Sequence, residues 1–186
     1  MKRLVIITVG KTHSGKTTFA HALEQELNNS LVMDQDNHAA FINSYYNKLQ
    51  PKQGPNTLKH GISQLIVDYA IENTNFHLII CNSNRSQKDR LYLLEHLFPS
   101  EKFFRILVHF DIPDQVLQAR VTQSGRSTNI FRRASNFEQV LFRQQADSVK
   151  EDVIDPVEGE ADHLFVINND KEVDSVIQSI VHIAHC

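Results

Sequence analysis

Apolar positions along this chain fall into short, nearly unbroken runs, separated by stretches where they recur every three or four residues. The runs lie at 4–9, 30–33, 76–81, 103–110 and 163–167. Runs this continuous read as strands covered on both faces, as in a parallel sheet. The intervening stretches read as helices. After the first run, Phe19, Ala22, Leu23 and Leu27 share one helical side. A short helix is predicted over 38–44, and a longer one over about 56–72 with Leu58, Ile62, Leu65, Ile66 and Tyr69 inward. Ser86 is placed to cap a helix carrying Leu91, Leu94 and Leu97. Pro113, tolerated in a first turn, opens one with Val116, Leu117 and Val121. Two more follow, over about 137–149 with Val140, Leu141 and Ala146, and from Glu172 with Val173, Val176, Ile177 and Ile180. Strands joined by helical crossovers predict a mostly parallel five-stranded sheet with helices on both faces, a three-layer α/β fold.

Composition changes this picture little. At 186 residues the chain is expected to form a single domain over 1–186, and its 41% hydrophobic and 22% charged content is that of an ordinary globular protein. No apolar run approaches the ~18 residues of a membrane span. The first apolar run is too short for a secretory signal, and Cys81 and Cys186 form no framework pattern, so a cytoplasmic protein with reduced thiols and no membrane contact is expected. A net charge of −3 argues against a broad nucleic-acid footprint. Six carboxylates crowd residues 151–162, which reads as a solvated connection. His182, His185 and Cys186 read as a helix end, since no further cluster completes a zinc site.

The chemistry concentrates after the first strand, in Gly10-Lys11-Thr12-His13-Ser14-Gly15-Lys16-Thr17 followed by Thr18. This is a G-x-x-x-x-G-K-[ST] loop between a strand and a helix, and it predicts the P-loop NTPase fold. Glycines let the backbone curl so that successive N–H groups face inward as an anion nest, and the helix N-terminus adds its positive end. Lys16 is placed to reach the β- and γ-phosphates of ATP, and the Thr17 hydroxyl to ligate Mg²⁺. In such a sheet ligands sit beyond the carboxyl ends of the strands. Asp34 and Asp36 follow the second strand, Asn82 and Asn84 the third, Asp111 the fourth, and Asn168, Asn169 and Asp170 the fifth. Either Asp36 or Asp34 can accept a proton; the competing role for each is to cap the next helix. Arg126 and Arg120 can neutralise a transferring phosphoryl group.

At these residues the chain resembles the small P-loop kinases grouped with polynucleotide kinase, zeta toxin and gluconate kinase. The resemblance spans Lys2 to about Asn169. It rests on the phosphate loop, Met33-Asp34-Gln35-Asp36, Ile79 to Asn84 with Arg90, Phe110-Asp111-Ile112-Pro113 with Leu117, Arg120 and Arg126, and Ala161 to Ile167. It implies transfer of the γ-phosphate of ATP to a hydroxyl of a small-molecule acceptor, nucleosides and nucleic-acid ends being among the group's acceptors. By position Asp36 matches the carboxylate that activates the acceptor. Arg126 and Arg120 match the arginines of a lid, here about 120–136, with Arg132 and Arg133 as substitutes. The acceptor pocket maps to about 37–60, with Tyr45, Tyr46, Lys48, Lys52 and Lys59 as contacts. Two departures stand out. Asn82 replaces an Asp common after the third strand, so metal handling loses one charge. Asn37, His38 and Ala39 occupy a stretch where relatives acting on nucleic acid carry an Arg, so a polynucleotide acceptor is not supported. The chain lacks both N-K-x-D near the fifth strand and D-x-x-G after the third, which weakens a GTP-dependent switch. The remaining alternative is an ATP-binding regulatory NTPase or binding module with little kinase activity, for which Asn82 speaks.

Overall fold

The apolar runs become strands because each alternates its side chains between two helical layers. In a computed structural model, which describes residues 2–185, five strands form one sheet: β1 (Arg3–Val9), β2 (Ser30–Asp34), β3 (His77–Cys81), β4 (Phe103–Phe110) and β5 (His163–Ile167). All pairs are parallel, in the order β2-β3-β1-β4-β5. Seven helices connect and cover them: α1 (Lys16–Glu26), α2 (Gln35–Tyr45), α3 (Thr57–Asn73), α4 (Gln87–Tyr92), α5 (Asp114–Thr122), α6 (Phe137–Asp147) and α7 (Val173–His185). On β1, Leu4 and Ile6 pack with Phe19 and Leu23 of α1, Leu117 of α5, Leu141 of α6 and Ile177 of α7. Val5, Ile7 and Val9 face the opposite layer, against Val67 and Ala70 of α3 with Leu94 and Phe98. Each such buried aliphatic contributes about 1.5–3 kcal/mol. Because β1 lies between β3 and β4, the chain leaves it at the point where strand order reverses, and that is where open parallel sheets bind ligands.

The helix following β2 begins earlier than the apolar pattern indicates. The Asp34 carboxylate accepts the Asp36 amide at 2.8 Å and caps α2, so Gln35 and Asp36 lie in its first turn. The face of α3 also differs. Ser63, Val67 and Ala70 are the residues turned inward, whereas Leu65 and Tyr69 are 69% and 64% exposed. Ser63 meets α2, its hydroxyl 2.7 Å from His38 Nδ1, while Val67 and Ala70 join the apolar layer on that side of the sheet. After α4 a wide turn over Leu93–Leu97 turns Arg90, Leu94 and Phe98 inward while Leu91 faces out.

Residues 151–162 are mostly exposed, as expected of a solvated connection, but a few side chains and amides anchor the segment to the fold. Glu160 makes a buried ion pair with Arg90, and Asp162 holds Arg105 through both its side chain and its amide. The Asp152 carbonyl accepts the Gln87 amide at 2.8 Å. The expected lid starts in the last turn of α5 and continues as irregular chain to α6. Among the described residues no helix is long and apolar enough to cross a membrane. The terminal Cys186 of the His182/His185 cluster lies outside the described residues.

Candidate functional site

The loop that leaves β1 is shaped by two glycines. At Gly10, with φ +150°, a Cβ would stand 3.0 Å from both the Phe110 carbonyl oxygen and the Ser14 hydroxyl, so no side chain fits. The Gly10 amide donates to the Ser83 carbonyl at 2.9 Å, tying the loop to the turn after β3. Gly15, at φ +102°, starts α1 with no side-chain cap and no acidic residue in its first turn. The helix's first N–H groups and its positive end are thereby left for an outside anion. Lys16 curls back over the loop, its Nζ donating to the Lys11 carbonyl at 2.5 Å and the Ser14 hydroxyl at 3.2 Å. Burial pushes its ammonium down to about 8, against the pull of Asp36 and Asp34.

Beside the lysine, the Thr17 hydroxyl lies 3.5 Å from Asp34 Oδ2 and 3.7 Å from Cys81 Sγ. Burial raises the Asp34 carboxyl pKa, and the charge of Asp36 adds to this, while the Asp36 amide and Arg126 oppose it. Burial likewise pushes the Cys81 thiol up to about 11. A hydroxyl and a carboxylate are hard oxygen donors, which suit a Mg²⁺ ion that keeps water and phosphate for its other ligands. Asn82 brings no charge to this arrangement: its Oδ1 accepts the Ser83 amide at 2.8 Å, and its Nδ2 donates to Gln35 Oε1 at 3.0 Å. Among the described residues no group of three or more His, Cys, Asp or Glu side chains could hold a metal.

Asp36 projects into the open part of the site, where Arg126 Nη2 meets its Oδ2 at 3.2 Å. The Arg126 guanidinium also sits over the Phe137 ring, 5.2 Å from its centre. Arg120 is held differently: Nη2 reaches both Asp170 oxygens at 2.8 Å, and Nη1 donates to the His13 carbonyl at 3.2 Å. It clamps the phosphate loop to the loop after β5. His13, at φ +60°, turns its ring away from the loop's inner face, to the Ser124 hydroxyl at 2.7 Å and edge-on to Phe137. Burial, and then the charges of Arg126, Lys16 and Arg120, lower its pKa to about 4, so the ring is neutral at physiological pH. Lys11 points outward to Asp114 at 2.6 Å. The Thr12 amide donates to Gln144 Oε1 of α6 at 2.7 Å.

A cleft of about 940 Å³ gathers Thr12 through Thr18 with Asp34, Asp36, Arg120, Arg126, Arg132 and Arg133. Gly10 and Lys11 shape its loop without lining it. Of the expected acceptor contacts, Lys59 lines this cleft, whereas Tyr45 and Tyr46 pack around Phe41 on the exposed side of α2. The irregular chain after α5 lies down on α2 and the segment beyond it. Asn129 Nδ2 donates to the Ser44 hydroxyl at 2.9 Å, Asn43 Nδ2 to the Asn129 and Phe131 carbonyls, and Arg132 to the Pro51 and Gly54 carbonyls. Sequence reasoning did not find Gln144, Ser124 or Phe137. An amide, a hydroxyl and a ring carry no signal until the fold brings α6 against the phosphate loop.

An uncapped helix start behind a glycine loop, at the strand-order reversal of a parallel sheet, defines a P-loop protein. The profile of the AAA domain family matches residues 5–151, and the chain belongs to that family. No curated protein matches its sequence. Among solved structures, a candidate kinase from Chloroflexus aurantiacus j-10-fl is similar, with a TM-score of 0.65, 16% identity, and coverage of 98% of each chain. APS kinase of Mycobacterium tuberculosis, in complex with AMPPNP and APS, gives 0.60 at 15% identity over 100% of this chain and 99% of that one. Shikimate kinase of Bacteroides thetaiotaomicron gives 0.56 at 13% identity over 98% and 99%. The expected P-loop fold is thus borne out, and these structures with kinase names share it.

Proposed function

We propose that this protein is a kinase that moves the γ-phosphate of ATP to a hydroxyl of a small-molecule acceptor. One observation carries the reading. A phosphate loop with its lysine, the Thr17–Asp34 oxygen pair and the Asp36–Arg126 ion pair all converge in a single cleft. The loop amides and Lys16 bind the β- and γ-phosphates, and Thr17 with Asp34 would hold the Mg²⁺, which neutralises phosphate charge when bound. Asp34 already caps α2 and is buried, so the proton falls to Asp36. The Asp36 carboxylate accepts it from the acceptor hydroxyl as that oxygen bonds to the γ-phosphorus. The bond from the γ-phosphorus to the β–γ bridging oxygen breaks, and its electron pair leaves on ADP. Arg126, moving from Asp36 to the transferring group, frees the base and meets the charge that develops. Arg120 keeps the loop in place through the His13 carbonyl, and the lid excludes water.

The test is a mass-spectrometric search for phosphorylated product, with ATP, Mg²⁺ and pooled metabolites, nucleosides and 5′-hydroxyl oligonucleotides. A product is expected that vanishes with Lys16→Ala and falls about 10²-fold or more with Asp36→Asn. A product undiminished by Asp36→Asn would remove that residue as the base. A second reading, an ATP-binding regulator with little transfer activity, is favoured by Asn82, an uncharged amide tied to Gln35 and Ser83. ATP binding without product from any acceptor would select it.

A further inference from the structure

A second groove opens beside the cleft and shares two of its arginines. It encloses about 670 Å³ between residues 43–52 and 128–133, and Arg132 and Arg133 line both spaces. Its other charged residues are Lys48 and Lys52, and among the described residues none of its lining is a carboxylate. Four cations without an acid reverse the sign of a chain whose net charge is −3. Across the cleft, Lys59 of α3 adds a fifth positive charge close to Asp36, Asp34 and Arg132. Arg132 is a braced group. The Pro51 and Gly54 carbonyls take two of its N–H groups at 3.1 and 2.6 Å, and a guanidinium has five. Its remaining donors and those of Arg133 keep the planar fork that matches phosphate or carboxylate oxygens. Lys48 and Lys52 line only this groove and not the cleft of the phosphate loop, so the transfer chemistry itself does not call for them.

We propose that the acceptor is a small hydroxylated anion, its hydroxyl at Asp36 and its phosphate or carboxylate group in the groove of Lys48, Lys52, Arg132 and Arg133. The inference rests on the kinase reading above and leaves the phosphate loop to ATP. A groove walled by one sign of charge concentrates ligands of the other sign and fixes their orientation. Here that orientation directs the uncharged, reactive end of the acceptor toward the base. A polynucleotide is disfavoured, because an extended polyanion needs a basic track and the chain carries 19 Lys and Arg against 22 Asp and Glu.

The test loads the phosphate loop with a non-hydrolysable ATP analogue and Mg²⁺, then titrates a panel of polyols by calorimetry. Each polyol is present in neutral, carboxylated and monophosphorylated form, with a 5′-hydroxyl oligonucleotide alongside. The members that bind are expected to be the anionic polyols, and Lys48→Ala/Lys52→Ala to weaken them about tenfold or more with analogue affinity unchanged. Both lysines are exposed, and a thermal melt verifies that the variant folds. Equal binding of neutral and anionic members, binding of the oligonucleotide alone, binding unmoved by the variant, or no binding overturns the proposal. The kinase reading fails separately, if the analogue does not bind or no compound yields product in the transfer assay.

Discussion

Removing the charge of Glu160 should destabilise the protein far more than its place in an acidic stretch suggests. The Arg90 and Glu160 side chains are 0% and 4% exposed, and they meet through Nε–Oε1 at 2.6 Å and Nη2–Oε2 at 3.1 Å. Arg90 Nη1 also donates to the Asn84 and Arg85 carbonyls, at 3.2 and 3.0 Å. Glu160→Gln leaves a guanidinium out of water with carbonyls and one amide oxygen but no countercharge. Breaking a buried pair from one side costs about 3–5 kcal/mol, and the retained amide oxygen places Glu160→Gln near the lower end, about 3 kcal/mol. For a chain of this length that corresponds to a melting temperature lower by roughly 6–12 °C. Urea denaturation should show the midpoint falling at constant slope. The comparison is Asp147→Asn, which breaks the exposed Lys150–Asp147 pair and should cost no more than about 0.5 kcal/mol. If Glu160→Gln lost less than about 1 kcal/mol, the pair would be behaving as a surface contact and the argument from burial would be wrong.

Protonation of Lys16 gives a second test. Its pKa in the folded protein is about 8 against an ordinary value of 10.5. Between those values the unfolded chain binds a proton that the folded one does not, so this group makes stability rise with pH through that window. A polyphosphate on the loop restores the charge, so binding of an ATP analogue at about pH 8.5 should take up protons, seen as heats that depend on the buffer's ionisation enthalpy. Equal heats in all buffers, or uptake that survives Lys16→Met, would refute it. The rotated face of α3 gives a third. Leu65→Ser and Tyr69→Ser should each stay within about 0.5 kcal/mol of wild type in urea. Val67→Ala, at a position 4% exposed, should cost more than about 1 kcal/mol; the opposite ranking would restore the face that periodicity indicates.

What could be read from the chain was what its local physics determines. Residues 4–9 and 103–110 are mostly apolar, broken only by Thr8, Arg105 and His109, because their strands are covered on both faces. The phosphate loop was legible because Gly10 and Gly15 answer to backbone geometry within eight residues. Positions set by long-range packing were not. On α3 the inward residues are Ser63, Val67 and Ala70, chosen by what they face, His38 of α2 and the core layer of β1 and β3. Leu65 and Tyr69 announced a face that the neighbouring sheet does not use. Glu160 looked like one acid among six until Arg90, 70 residues earlier, supplied its partner. Asp34 and Asp36 were interchangeable on the residues alone, and only the resemblance to small P-loop kinases favoured Asp36. The fold separates them, one buried as a cap and the other open to Arg126.

The Gln144 contact has a consequence for how the phosphate loop behaves between ligands. The Thr12 amide has an acceptor in Gln144, and the Lys16 ammonium has two in the Lys11 carbonyl and the Ser14 hydroxyl. Internal oxygens thus stand in for part of an anion, and they hold the loop in its curled form through contacts of the chain alone. The conformational entropy of ordering the loop is then lost during folding. On the proposed function, an arriving phosphate would meet a loop already curled and would compete with these internal oxygens for its donors. A loop of this kind would give up some affinity to the bonds it must break, and would bind without the cost of ordering its backbone.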